Sequence, residues 1–344
     1  MSDSISGVTL PVSTVTRQEG CLDFDVDAVL PWVDGDDPAH ERKRLSFLGS
    51  RGPSKSAHST RYADRGELEY CVSSILRFAP WVRRVFIVTD SQLPHWYESL
   101  PREYRERIKI VDHKEIFRGY EGLLPTFNSL SIETMIWRIP GLAEHFIYLN
   151  DDLSLLAPLS KGDFFTSDGV LLRGAWEQRA RGYFLAKNLK RLFRKGRVTH
   201  RFSQLKGAAL GAPRLDRTFV TGHIPQPMRK STFDEFFRAY PDLLARNARF
   251  RFRSWSQFWP ISLAHHLEID KGSATFVADD ESLYLSPRKM DSEKMQASLE
   301  ACRCSSIKFL CVQSLDQASD EFYQFWISWM SQHVGCLDDR INGP

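Results

Sequence analysis

Short runs of β-branched and aromatic residues alternate with segments of helical spacing along the first half of this chain, and that alternation restricts its fold more than any other feature. The runs are Ala28 to Val33, Val85 to Thr89, Ile108 to Val111 and Phe146 to Leu149. Between the first two, Leu68, Cys71, Val72, Ile75, Leu76 and Ala79 lie 3, 1, 3, 1 and 3 positions apart, as one buried helix face requires. Asp64 followed by Glu67 resembles a capping box for that helix, and Pro80 ends it. Ser129 to Trp137 reads as a second helix, closed by Pro140 and Gly141. Alternation of this kind predicts an α/β fold with a mainly parallel sheet flanked by helices, whose ligands sit at the carboxyl ends of the strands.

Past residue 160 the pattern blurs. Ala274 to Ala278 and Ile307 to Val312 read as late strands returning to the same sheet. Phe322, Phe325, Trp326, Trp329 and Met330 form a helical stripe that reads as core rather than as a membrane-docking face. Residues 1 to 24 are expected to be a flexible lead-in and residues 25 to 344 a single domain, with 173 to 217 as a basic helical insertion. With 42% hydrophobic and 26% charged residues among 344, the chain has the balance of a soluble globular protein, which excludes disorder and collagen-like repetition. Six cysteines include one C-x-C and no C-x-x-C, a pattern that suits reduced thiols rather than a zinc ribbon or a disulfide framework.

A net charge of +3 gives no reason to expect nucleic acid as a partner. Charge is unevenly spread, however: residues 173 to 217 hold thirteen basic and two acidic residues, a local field that attracts phosphates. With no signal peptide and no run of about 18 apolar residues, the expected location is cytoplasmic. The basic segment offers peripheral contact at the inner face of the membrane, which high salt should release.

Two strand exits are rich in carboxylates. The first run leaves through Trp32-Val33-Asp34-Gly35-Asp36-Asp37-Pro38, which suits either a ribose or metal-bound phosphate, or equally a plain turn. The fourth runs into Asn150-Asp151-Asp152, a set suited to Mg²⁺ or Mn²⁺ bridging to diphosphate oxygens. Leu124 to Ser129 opens the second helix, where an anion would be favoured, although Ser129 also serves as an ordinary N-cap. Thr221-Gly222-His223-Ile224-Pro225 sets a histidine in a stiff loop. Arg249, Arg251 and Arg253 alternate, so that in an extended chain their guanidinium groups share one face and could clamp phosphates.

In combination these segments resemble the Stealth family of sugar-phosphate transferases, which includes bacterial capsular polysaccharide phosphotransferases and the catalytic subunit of the lysosomal-enzyme N-acetylglucosamine-1-phosphotransferase. The family's first region resembles Asp27 to Pro38 and its second Arg61 to Phe165, including VDHKEIF, LPTFNS, IET and HFIYLNDD. The third resembles Thr221 to Ser254. The fourth resembles Lys308 to Asp316, where Gln313-Ser314-Leu315-Asp316 follows the apolar strand in place of the Asn-Asp common in the family.

The resemblance implies a GT-A-like (Rossmann-like) fold that binds Mg²⁺ or Mn²⁺. It also implies transfer of hexose 1-phosphate, such as N-acetylglucosamine 1-phosphate, from a UDP-sugar to a hydroxyl of an anionic or lipid-linked glycan acceptor. UMP would leave, and the product would be a phosphodiester in a capsular or exopolysaccharide. Carried onto this chain, Asp152 with Asn150 and Asp151 would handle metal and diphosphate, His223 would act as acid or base, and Arg251 and Arg253 would neutralise phosphate oxygens. Trp32, Asp34 and Gly35 would shape the uridine end, with Thr126, Asn128 and Ser129 supporting the donor. Arg61 and Asp64 also match family positions. Two other readings stay open: a metal-dependent GT-A glycosyltransferase releasing UDP, and a non-catalytic polyanion-binding protein using residues 173 to 217.

Overall fold

The computed structural model describes residues 22–48, 62, 64–178 and 199–337. Most of the expected lead-in, Arg61 and the stretch 179–198 of the basic segment lie outside the described residues. β1 (Val26–Pro31), β2 (Val85–Thr89), β3 (Ile108–Asp112) and β4 (His145–Tyr148) stand where the apolar runs predict strands, with ends shifted by two residues or fewer. They pair in parallel in the order β3-β2-β1-β4. Three short strands follow, β5 (Leu153–Leu155), β6 (Val170–Arg173) and β7 (Ala175–Gln178), then β8 (Arg217–Val220) and β9 (Gln226–Arg229). β9 closes the β4 edge of the central sheet in the antiparallel sense.

Side chains alternate across this sheet with the period of two that strands impose. Ala28, Leu30, Val85, Ile87 and Ile147 enter one buried cluster, while Val29, Phe86, Val88, Phe146 and Tyr148 enter another on the opposite face. Helices cover both faces, as an α/β sheet requires. Before β2 come α1 (Pro38–Ser46) and α2 (Glu67–Phe78); α3 (Arg102–Arg107), α4 (His113–Ile116) and α5 (Ser129–Glu133) follow it. Then come α6 (His200–Gly211), α7 (Lys230–Ala239), α8 (Pro241–Ala248), α9 (Pro260–Lys271), α10 (Ser292–Cys302) and α11 (Asp320–His333). The stripe on α11 is core: Phe322, Trp326, Trp329 and Met330 are buried against the first cluster.

Several expectations are corrected. The late strands β10 (Ala274–Val277) and β12 (Phe309–Val312) do not return to the central sheet. β10 pairs with β6, and β12 lies between β11 (Ser282–Leu285) and β5. An apolar run marks a strand but does not encode its partner. The helix expected from Ser129 to Trp137 stops at Glu133 and resumes as a single 3₁₀ turn over Ile136–Arg138. Nor does Asp64 cap α2, whose N-cap is Gly66 at φ +97°. Asp64 instead accepts from the Gly66 N–H at 2.9 Å, and Glu67 accepts from the Arg65 N–H.

The basic segment is not wholly helical and exposes less charge than its sequence suggests. Its described ends form the β7–β8 pair, with α6 between them. Arg173 is buried against Asp163 and Glu281, Arg201 pairs with Glu177, Lys206 donates to the Trp255 carbonyl, and Arg217 stacks over Trp176. Among the described residues no helix is long and apolar enough to cross a membrane, and none of the described cysteines is in a disulfide.

Helix α6 presents His200 to the site through a close glycine contact with α9. A Cβ at Gly207 would lie 2.5 Å from the Trp259 carbonyl oxygen and 2.8 Å from the Leu263 nitrogen, both backbone atoms that cannot swing aside. Gly207→Val is therefore expected to destabilise the protein by about 1–3 kcal/mol, the usual cost of overpacking. Thermal melting checks this; an unchanged melting temperature would mean that α6 can slide without loss.

Candidate active site

The parallel strands deliver their following residues to one edge of the sheet, and the antiparallel β9 is entered from that same edge. There a cleft of about 850 Å³ opens, a size suited to a small-molecule ligand. Its floor follows the strand order. His113 comes directly after β3, Asp90 after β2, Trp32 after β1 and Asn150 to Asp152 after β4, while Gly222 and His223 lead into β9.

Carboxylates crowd the middle of the cleft. Burial, then the charges of Asp152 and Asp64, hold the Asp151 carboxyl well above its ordinary range. Burial pushes Asp152 up to about 6, against a stabilising bond from the Cys311 thiol. Glu67, at the start of α2, is pushed up to about 9, by burial first and then by Asp64 and Asp151. Asp152 Oδ1 is buried without a hydrogen-bond partner among the described residues. A strained group of this kind is what a divalent cation would relieve. No set of three His, Cys, Asp or Glu forms a ready-made metal cage among the described residues. Two carboxylates nonetheless fit Mg²⁺, which commonly takes one or two from the protein and the rest of its shell from water and substrate phosphates.

The same cleft is also lined by cationic and imidazole side chains, Arg253, Arg288, His200 and His223. His223 stacks near His200 (ring centroids 5.9 Å) and Tyr284 (5.0 Å). Burial, then Lys289, lowers the pKa of His223 below the ordinary histidine value, so its ring is neutral at pH 7. His200 is also lowered, first by desolvation and then by His223, Arg253 and Arg201. Arg253 donates to Ser129 Oγ at 2.7 Å. The stretch after β12 lies here as well: Gln313, Ser314 and Asp316 line the cleft beside Arg288.

Two distant sequence motifs are zipped together to build this wall. The Phe127 N–H donates to the Arg251 carbonyl at 2.9 Å, while Thr126 Oγ1 and Asn128 Nδ2 donate to the Phe250 carbonyl at 3.1 and 3.0 Å. Asn128 also caps α5 and donates to Gln257 at 2.9 Å. Thr126 and Asn128 thus line the cleft but spend their polar atoms holding the Arg253 segment in place. The extended three-arginine face is not formed. Arg249 ends α8 and lies over Phe250, Arg251 lies over Phe47 at 4.8 Å, and only Arg253 of the three lines the cleft.

At the β1 exit the turn reading prevails over direct ligand contact. Asp34 accepts from the Asp36 N–H, Asp37 caps α1, and Gln92 bonds both ends of this loop; Asp34 does not line the cleft. Gly35 is required by close approach, since a Cβ there would meet the Tyr62 carbonyl oxygen at 2.0 Å. Trp32 lines the cleft with its indole N–H given to Asp64 at 2.6 Å, which places Asp64 behind the wall rather than in it.

Sequence reasoning missed Glu133, His200, Arg288, His40 and His113. Glu133 is buried at the cleft wall and raised in pKa by burial, with Arg253 opposing. The Tyr148 hydroxyl lies 3.0 Å from Glu133 Oε1 and 2.8 Å from Asn150 Oδ1, so its single proton links the α5 carboxyl to the amide at the β4 exit. The Glu of IET, a lone carboxyl in an apolar helix, was the available signal. His265 and His266 are structural: His265 is bonded to the Pro227 carbonyl and His266 to Phe219 and Ser262.

Paired carboxylates, an arginine and neutral histidines thus line one cleft at the strand exits of this α/β fold. The chain belongs to the Stealth family. The family model described as Stealth protein CR1, conserved region 1, matches residues 24–52, and that described as CR2, conserved region 2, matches residues 61–172. An exopolysaccharide phosphotransferase of Streptomyces coelicolor is 38% identical over 261 residues, covering 72% of this chain and 45% of that protein. A capsular polysaccharide phosphotransferase of Streptococcus pneumoniae is 32% identical over 265 residues, covering 69% of this chain and 78% of that protein. The chain spans less than half the length of three Streptomyces coelicolor relatives, at 45%, 25% and 41%. A solved bifunctional glycosyltransferase matches over 91% of this chain and 51% of its own at 11% identity and a TM-score of 0.44.

Proposed function

We propose that this chain transfers hexose 1-phosphate from a UDP-sugar to a hydroxyl of a glycan acceptor, releasing UMP and forming a phosphodiester in a capsular or exopolysaccharide. The observation that supports this reading is the cleft itself, which Asp151 and Asp152 line together with Arg253 and a neutral His223. Relatives named for polysaccharide phosphotransfer support it.

The acceptor oxygen attacks the phosphorus that bears the sugar. The bond from that phosphorus to UMP breaks, and the bond from sugar C1 to oxygen survives. His223 takes the proton of the attacking hydroxyl, and Arg253 neutralises non-bridging oxygens as charge shifts in the transition state. Ser129 holds the guanidinium by a hydrogen bond of 2.7 Å, and the charge of Glu133 attracts it. Asp151 and Asp152 would hold Mg²⁺ or Mn²⁺, which when bound supplies positive charge beside the diphosphate. Chelation is therefore expected to abolish turnover, and added Mg²⁺ to restore it. Arg253→Lys keeps the charge but loses the planar fork, and turnover is expected to fall about tenfold, read from initial rates. Peripheral contact with the inner face of the membrane, through the basic segment, belongs to the same proposal; release by a salt wash tests it.

Phosphorus NMR of the products from UDP-sugars, Mg²⁺ and glycan acceptors tests the reaction. UMP with a new acceptor-dependent phosphodiester resonance is expected. UDP as the product would replace the proposal with glycosyl transfer.

A further inference from the structure

The last residue of β4, Tyr148, sets a buried hydroxyl beside the cleft. Strand periodicity turns Phe146 and Tyr148 to the same face of the sheet, where Tyr148 enters the second buried cluster and is 3% exposed. A phenylalanine would fill that space as well, whereas a tyrosine brings an oxygen that must find partners there. They come from two other parts of the chain. Glu133 Oε1, on α5, lies 3.0 Å away, and Asn150 Oδ1, at the β4 exit, lies 2.8 Å away.

A phenol carries one hydrogen and both neighbours are oxygens, so Tyr148 donates in both contacts and its proton is shared as a three-centre bond. Burial, then Glu133, holds the phenol well above its ordinary pKa, which keeps that proton in place. Asn150 therefore spends its oxygen on Tyr148. Its Nδ2 has no hydrogen-bond partner among the described residues and is not enclosed, and the half-buried Asn150 lines the cleft. A metal ion binds the oxygen of an amide and not its N–H groups, so an asparagine held this way is a neutral hydrogen-bond donor rather than a metal ligand. Asp151 and Asp152 follow it directly in the chain, and a diphosphate sharing their ion would supply the acceptor oxygens.

We propose that Tyr148 is a positioning residue: its hydroxyl, shared between Glu133 and Asn150, turns the Asn150 amide so that the nitrogen donates to a diphosphate oxygen of the donor and the oxygen is withheld from the metal. This assignment rests on the nucleotide-sugar reading of the cleft. Glu133 is the anchor of the arrangement, since a buried carboxyl on a helix fixes the direction from which the hydroxyl can reach Asn150.

The test uses the full chain, with UDP and Mg²⁺ as one probe and Mn²⁺ alone as the other. Asn150→Ala should weaken UDP with Mg²⁺ by about tenfold, the usual worth of a hydrogen bond to a charged group, and Tyr148→Phe, which keeps the ring and its packing, by about threefold or more, both read by calorimetry. The double variant should match Asn150→Ala alone, because Tyr148 acts through the amide; effects that multiply would make Tyr148 a packing residue and overturn the proposal. Mn²⁺ affinity, read by electron paramagnetic resonance, should be the same in Asn150→Ala as in wild type, and a loss of about tenfold would make Asn150 a metal ligand. Should Tyr148→Phe not fold, the wild type decides. In protein labelled with nitrogen-15 at asparagine, the side-chain amide pair that is missing in Asn150→Asp should shift when UDP and Mg²⁺ are added, and a pair that stays in place overturns the proposal. UDP bound equally by Asn150→Ala overturns the assignment and leaves the donor reading standing. Failure of UDP to bind the wild type overturns the donor reading and the assignment together.

Discussion

Asp152→Asn is expected to reduce turnover by about 10³-fold or more and, in the same preparation, to raise the melting temperature of the protein without donor or metal. Both effects come from one feature. Asp152 is an enclosed carboxyl with an unpartnered oxygen, held near Asp151 in a site that pushes both pKa values up. Such a group destabilises the empty fold and is useful only when positive charge arrives. The pH dependence has a definite sign. Its folded pKa, about 6, is above the ordinary 3.8, so the protonated form is favoured by folding. The advantage is fully present below about pH 4 and is lost as pH rises through 6. The melting difference between Asp152→Asn and wild type should therefore be small at pH 4 and reach its full size above pH 6, measured by calorimetry in chelator. A variant that is inactive and equally less stable at every pH would make Asp152 a structural residue.

His223→Ala is expected to slow transfer by about 10²-fold to 10⁴-fold, the usual contribution of a positioned proton acceptor. Its pH profile separates chemistry from packing. Because burial lowers the pKa of His223 below 6.5, the neutral base persists into mildly acidic solution, and the acid limb of kcat/KM should lie below pH 6.5. In His223→Ala that limb should vanish while the slow residual rate becomes flat. His223 stacks on His200 and Tyr284, so a purely structural role would lower the rate at all pH values and keep the limb in place. His200 is the control, since it lines the same wall and has a still lower pKa.

What could be read from sequence follows from how much information a single segment holds. β1 to β4 and α2 were legible because their apolar spacing states both the element and its buried face. β9 was not, because Pro227 and the Gly-His-Ile-Pro loop hide a four-residue edge strand, where proline is tolerated. The late apolar runs were recognised as strands, but their pairing with β5 and β6 depends on tertiary register. The same limit governs the site. Asp151, Asp152, His223 and Arg253 sit in sequence motifs, and all four line the cleft. Arg251 alternates with Arg253 on paper, yet its segment is bent by the bonds from Phe127, Thr126 and Asn128, and its side chain turns to Phe47. His113 had one signal, a D-x-x-E pattern starting directly at a strand exit. Arg288 and His200 enter only because β11, β12 and α6 converge on the cleft.

The central claim is that phosphorus, and not the sugar carbon, is attacked. It is tested most directly with UDP-N-acetylglucosamine carrying oxygen-18 in the bridge between C1 and phosphorus, incubated with the full chain, Mg²⁺ and a glycan acceptor, with the products weighed by mass spectrometry. Hexose 1-phosphate transfer keeps that bridge, so the label should appear in the acceptor's new phosphodiester and the released UMP should be unlabelled. Labelled UDP beside an unlabelled glycan would show cleavage at C1 and contradict the account.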